Sequence, residues 1–124
     1  MTNGAAASRD TGGLFAAIDA NDSAAFVSFL ADDAVFRFGS APPVHGREAI
    51  RAAVGGFFGT IAGCSHNIQK TLQDASTLVC EGEVTYRRQN DTEITLPFTD
   101  VFEYEDDLIT HYKIYMDISP LYTE

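Results

Sequence analysis

The sequence predicts an α+β fold, three N-terminal helices packed in a curved antiparallel sheet that wraps them as a cone. Three observations predict it. Apolar residues recur at helical spacing in the first half of the chain, they alternate with polar ones along the second half, and turn signals punctuate that second half. Helices first and strands afterwards is an α+β order rather than a repeated βαβ one.

The elements follow in order. Residues 1–9 are small and polar and read as a disordered N-terminal tail, leaving 10–124 as a single domain. Asp10 or Thr11 can cap a first helix, along which Leu14, Phe15 and Ile18 recur at helical spacing. Asn21-Asp22-Ser23 interrupts it, and Ser23 can cap a second helix with Phe26, Val27 and Leu30 as its buried stripe and Asp32-Asp33 at its end. Val35–Phe38 reads as a short strand. Pro42-Pro43 makes Gly39–Pro43 a loop, because proline forbids helix and ladder there. A third helix starts near Gly46 with Ile50, Val54, Phe57 and Phe58 on its apolar face. Gly55 and Gly56 cost it roughly 1 kcal/mol each, which suggests that another element packs close. Strands are expected near 64–72, 77–88, 93–104 and 108–118, with tight turns at Asn90-Asp91 and Asp106-Asp107.

Composition bounds the function. A chain of 124 residues, 45% of them hydrophobic, can bury a core without a metal or disulfide. Nine phenylalanines and no tryptophan supply large volumes that fill a core or line a cavity. The net charge of −10 comes from 18 acidic and 8 basic residues, and the basic ones are scattered. That argues against nucleic acid and against an anionic membrane surface as partners. No apolar run approaches membrane-spanning length. Cys64 and Cys80 lack CxxC or zinc-site spacing, and no signal peptide is legible, so two reduced thiols in a cytoplasmic protein are expected.

The alternation along the strands singles out one residue. Leu96, Phe98, Asp100, Phe102 and Tyr104 share a face near 93–104. Leu78, Cys80, Val84 and Tyr86 share one near 77–88, and Leu108, Tyr112, Ile114, Met116 and Ile118 share one near 108–118. Asp100 is the acid in this continuous apolar surface. A carboxyl buried there protonates and can donate a hydrogen bond to a developing oxyanion, or it can act as a base when ionised. The alternatives are a structural carboxylate held by backbone amides, Tyr86, Tyr112 or His66, or a bulge at Pro97 that turns Asp100 outward. His66, at the start of a strand, is a candidate base or partner of Asp100, or a structural histidine. Tyr86 and Tyr112 can donate to a ligand or simply pack in the core. His45 in the loop and His111 on the polar face are expected outside, and histidines so dispersed do not suggest a metal site. Asp32-Asp33 reads as solvated charge, and there is no phosphate loop or nucleophile elbow.

Ala16–Asp22, Phe29–Val35 and Val44–Arg51 resemble the opening of the NTF2-like superfamily. Asp100–Tyr104 with Leu108–Asp117 resembles its closing hairpin, and the resemblance spans residues 10–120. It is nearest to SnoaL-like and ketosteroid-isomerase-like members. The resemblance implies a cystatin-like α+β barrel around a long helix, a pocket at the open end, and often a dimer. Ketosteroid isomerases carry a tyrosine where Leu14 stands and a base aspartate where Phe38 stands, whereas Asp100 matches their protonated, oxyanion-holding acid. One of three positions survives, which argues against that reaction. Epoxide-hydrolase-like members carry a last-strand aspartate where Ile114 stands. SnoaL-like cyclases use a His and Asp pair, which His66 and Asp100 can imitate.

Two functions remain open. One is a cofactor-independent acid–base enzyme (an isomerase, cyclase or hydrolase) acting on an apolar, carbonyl-bearing small molecule. Asp100 is then the acid, His66, Tyr86 and Tyr112 assist, and Leu14, Ile18, Phe36, Phe38, Val54, Phe57, Val84, Leu96, Phe98, Ile114 and Met116 shape the pocket. The other is a non-catalytic binding or dimerisation module, with Val79, Val101 and Tyr115 on the outer sheet face as a homodimer contact.

Overall fold

The computed structural model describes residues 11–123, so the expected tail and a cap at Asp10 lie outside the described residues. Helix α1 is Thr11–Asp19, α2 is Ser23–Val27 and α3 is Arg47–Phe58. The strands are β1 Leu30–Phe38, β2 Val44–His45, β3 Gly63–Asp74, β4 Thr77–Arg87, β5 Glu93–Glu105 and β6 Leu108–Tyr115, followed by a 3-10 turn at Ser119–Tyr122. They form one sheet in the order β2-β1-β6-β5-β4-β3. The α+β order is as expected, and one detail is corrected: the sheet is not purely antiparallel, because β1 runs parallel to β6. The sheet is open, its order ending on the edges β2 and β3.

The second helix is shorter than expected. Asp22, not Ser23, caps it, accepting the Ala25 amide at 3.0 Å. Ser28 bends back onto the Ala25 carbonyl, with its amide at 3.2 Å, and the chain leaves the helix there. Leu30 is therefore fully buried on a strand, opposite Ile109, rather than on a helical stripe. Asp32 and Asp33 are exposed on that strand. Arg47 pins the junction, donating from Nε and Nη2 to the Leu30 carbonyl at 3.0 and 2.7 Å and pairing with Asp32 at 3.1 Å.

A register shift between Glu103 and Tyr104 corrects the face of the last strand. It turns Ile109 inward and leaves Leu108 39% exposed. The strand also stops at Tyr115 rather than 118. The Asp117 carboxylate accepts the Ser119 amide and hydroxyl at 3.0 and 2.7 Å and starts the 3-10 turn. Arg88 holds that turn to the sheet through the carbonyls of Leu121, Pro120 and Thr123 at 2.9, 2.9 and 3.1 Å.

The tight turns fall where Asn90-Asp91 and Asp106-Asp107 indicate, with Asp91 and Asp106 at φ 69° and 57°. A Cβ at Gly55 would lie 3.5 Å from the Ser23 hydroxyl, an ordinary contact, and one at Gly56 would meet nothing within 4 Å, so no close approach explains either glycine. No helix among the described residues is long and apolar enough to cross a membrane.

Candidate active-site cavity

Asp100 sits where the alternation puts it. Strand β5 pairs with β4 without a slip through Glu83↔Pro97, so Pro97 causes no bulge. Asp100 lies opposite Cys80 on one side and Ile114 on the other, 2% exposed. Tyr112 donates its hydroxyl to Asp100 Oδ2 at 3.2 Å. Asp100 Oδ1 is buried without a hydrogen-bond partner among the described residues. Burial disfavours the charged form and pushes the carboxyl up to about 8, against the smaller opposing effect of the Tyr112 hydrogen bond. At neutral pH the group is then a neutral acid. With Oδ2 accepting from Tyr112, its proton belongs on Oδ1.

Of the alternatives open for His66, pairing with Asp100 is not the one found. Its Nδ1 lies 2.6 Å from Asp19 Oδ1, and its backbone N–H donates to Asp19 Oδ2 at 3.1 Å. The ring is flanked by Phe15 and Phe98, at centroid distances of 5.1 and 5.2 Å. Burial in this apolar setting lowers the imidazole below its usual value, and Asp19, which favours the charged form, only partly offsets that. The neutral ring donates Nδ1–H to Asp19 and keeps the Nε2 lone pair free, because Nε2 has no hydrogen-bond partner among the described residues. This is the arrangement of a general base held in one tautomer by a carboxylate.

Asp19 was not among the residues expected at the site. Its signal was present but local, a carboxylate as the last residue of α1, where it opposes the negative end of the helix dipole. Cys64, two residues before His66 on β3, adds its Sγ 3.7 Å from Asp19 Oδ1 and 3.7 Å from the Ile18 carbonyl. Burial, followed by the Asp19 charge, pushes this thiol up to about 12, so it is no nucleophile near neutral pH. The ligand-type atoms of Asp19, Cys64 and His66 all lie within 4.8 Å of one another, a grouping that histidine spacing in the sequence does not disclose.

Cys64, His66 and Asp100, though not Asp19, face a cavity of about 550 Å³. Asp100, His66, Tyr86 and Tyr112 all line it, as do Ile18, Phe36, Phe38, Val54, Phe57, Phe98, Ile114 and Met116. Leu14, Val84 and Leu96 do not; they are 1%, 0% and 8% exposed and are consumed by core packing. Tyr86 is inward, its hydroxyl 3.9 Å from the Met116 sulfur. Phe26, Ala53, Phe58 and Cys64 extend the wall beyond the expected set. Exposed Ser40, Pro42, Asp117, Ser119 and Tyr122 form the rim, which the loop and the 3-10 turn bring together. Among the described residues no lysine or arginine lines the cavity.

Comparison with known proteins agrees with this architecture. The profile of the SnoaL-like domain matches residues 12–112. A candidate polyketide cyclase from Xanthomonas campestris pv. campestris superimposes with a TM-score of 0.81 at 19% identity, covering 91% of this chain and 93% of that one. A hypothetical protein with a ketosteroid isomerase-like fold from Catenulispora acidiphila, in complex with trimethylamine, gives 0.81 at 17% identity, covering 88% and 85%. TerC co-crystallised with polyporic acid gives 0.79 at 14% identity, covering 90% and 92%. At these identities the likeness shows the fold alone. No curated protein sequence matches the chain.

Proposed function

The chain belongs to the SnoaL-like domain family, and from that premise we propose that it is an acid–base enzyme acting on an uncharged, carbonyl-bearing ligand without a cofactor. One observation carries this reading: the buried Asp100 carboxyl and an imidazole backed by the Asp19 carboxylate face the same apolar cavity. Two titratable groups pushed to opposite protonation states by their surroundings divide the acid and base roles between them.

In the proposed reaction His66 Nε2 takes a proton from the carbon next to the ligand carbonyl. The C–H electron pair becomes the enolate double bond, and charge moves to the carbonyl oxygen. The Asp100 Oδ1 proton meets it there, while Tyr112 holds Oδ2 and Asp19 steadies the imidazolium. In a ligand with a double bond conjugated to the enol, the imidazolium returns the proton at the far carbon, which is isomerisation; otherwise the α-carbon attacks a second carbonyl, whose oxygen takes that proton, which is cyclisation.

The ligand class follows from the wall. An anion buried where no lysine or arginine among the described residues lines the wall loses its hydration without compensation from them. The volume lies within the range of about 300–1,000 Å³ typical of small-molecule pockets. The Xanthomonas campestris neighbour is described as a candidate polyketide cyclase, and TerC was crystallised with polyporic acid. Both support a ring-bearing ligand.

The test is α-proton exchange of 2-tetralone in heavy water, followed by NMR. Wild type is expected to accelerate exchange, and His66→Gln to lose at least about 100-fold of that rate, the usual contribution of a positioned base. Tetralone that binds but exchanges no faster than in buffer sinks the enzyme reading and leaves a ligand-binding module. The outer face, with Val79 and Val101 paired on β4 and β5 and Tyr115 56% exposed, is our proposed homodimer contact. Light scattering is expected to give twice the chain mass for wild type and the monomer mass for Tyr115→Glu. A wild-type monomer at micromolar concentration rules the contact out.

A further inference from the structure

We propose that Asp19, Cys64 and His66 form a zinc site at the cavity wall whose occupation switches off the base. The site is built from two elements. Asp19 ends α1, and Cys64 and His66 project from the same side of β3, where Cys64 pairs with Tyr86 and His66 with Val84. A carboxylate oxygen, a thiol sulfur and an imidazole nitrogen are the donor set that borderline-soft Zn²⁺ prefers over magnesium or calcium.

Two of the three separations are near what zinc needs, and the third, between Cys64 and His66, is within 4.8 Å. Bonds of about 2.0–2.1 Å to nitrogen and oxygen and about 2.3 Å to sulfur put tetrahedral ligand atoms about 3.3–3.6 Å apart. The Asp19–Cys64 separation is already 3.7 Å. The Asp19–His66 separation of 2.6 Å must open by less than about 1 Å. Three protein ligands leave a fourth position for water, and two of the three, Cys64 and His66, line the cavity. Among the described residues no lysine or arginine lines the cavity to repel the ion.

Occupation and base function exclude one another chemically. The ion takes the Nδ1 lone pair, so the proton that Nδ1 donates to Asp19 moves to Nε2. The Cys64 S–H loses its proton to solvent and binds as thiolate. One proton is released, nothing is oxidised or reduced, and Nε2 changes from acceptor to donor. Zinc binding itself does not depend on the enzyme reading; the switch rests on it.

The experiment titrates the protein with Co²⁺ and with Zn²⁺. Cobalt reports a thiolate-to-metal absorption band, and a chromophoric chelator reports zinc affinity. Wild type is expected to bind one equivalent with that band, and Cys64→Ser to lose the band and at least about tenfold in zinc affinity. The 2-tetralone exchange rate is expected to fall at least about tenfold as zinc fills the site. Absence of the band, or equal zinc affinity in Cys64→Ser, overturns the site and points to exposed His45 or His111. A band with an undiminished exchange rate overturns the switch and His66 as base while the site stands. Wild type that catalyses no exchange but shows the band sinks the enzyme reading and the switch that rests on it, and the zinc site stands.

Discussion

Between about pH 4 and about pH 9 the folded protein is expected to lose a few kcal/mol of stability through Asp100, and Asp100→Asn is expected to abolish that loss. Unfolding exposes a carboxyl with an ordinary pKa of 3.8, whereas burial holds the folded one at about 8. Below the lower value both states are protonated, and the site imposes no electrostatic penalty. Above the upper value both are ionised, and the full cost of a buried charge is felt. Between them the unfolded chain binds fewer protons than the folded one, so stability falls as pH rises. A shift of this size sets an upper limit on the order of 5 kcal/mol. His66, lowered by burial, works in the opposite sense below its usual pKa. That contribution is common to both proteins and cancels in their difference. Urea unfolding of wild type and Asp100→Asn at intervals across this range is the measurement. The asparagine variant carries a constant, pH-independent deficit from an amide in an acid's place, and its curve is expected to be flatter than that of wild type. Parallel curves mean that Asp100 is ionised throughout, and the neutral donor is then lost from the proposed reaction.

Gly82→Ala is expected to cost at least about 3 kcal/mol and to lower the melting temperature by roughly 10 °C or more. A Cβ at Gly82 would lie 2.1 Å from the Asn67 carbonyl oxygen, 3.0 Å from its carbon and 3.1 Å from the Gln69 nitrogen. All three are backbone atoms of β3, so no side-chain rotation relieves the clash. The cause is the irregularity between Ile68 and Lys70, where Ile68 pairs with Gly82 and Lys70 already pairs with Glu81. Relief requires β3 to peel from β4 immediately beyond the His66↔Val84 pair. Gly56→Ala is the control. Nothing lies within 4 Å of a Cβ there, and alanine in mid-helix is worth up to about 1 kcal/mol over glycine, so this variant is expected to melt slightly higher than wild type. A Gly82→Ala protein melting within about 3 °C of wild type means that the bulge relaxes without penalty.

Both expectations depend on how residues face one another, and that was only partly legible in the chain itself. The α+β order was legible because helical and strand periods differ and the chain uses them in separate halves. The inward position of Asp100 was legible because a strand has only two faces, and every neighbour on one face of β5 is apolar. Tyr86 and Tyr112 followed by the same rule. Leu30 was misread because its apolar spacing from Phe26 and Val27 fits a helical turn, while the capping that ends α2 after five residues depends on how Asp22 and Ser28 bond. Ile109 was missed because a register shift inverts the alternation, and which residue bulges is settled by the partner strand.

The site divides the same way. Sequence alone determined that an apolar face carries one carboxyl, since periodicity is a local property. Tertiary structure alone decided that Leu14, Val84 and Leu96 fill the core while Phe26, Phe58 and Cys64 meet open space, because alternation gives the face but not what stands opposite it. It also decided that the partner of His66 is Asp19, 47 positions away, and not Asp100. A contact between a helix end and a strand has no period to betray it. It exists because the packing of α1 against β3 brings a carboxylate and an imidazole to the same point.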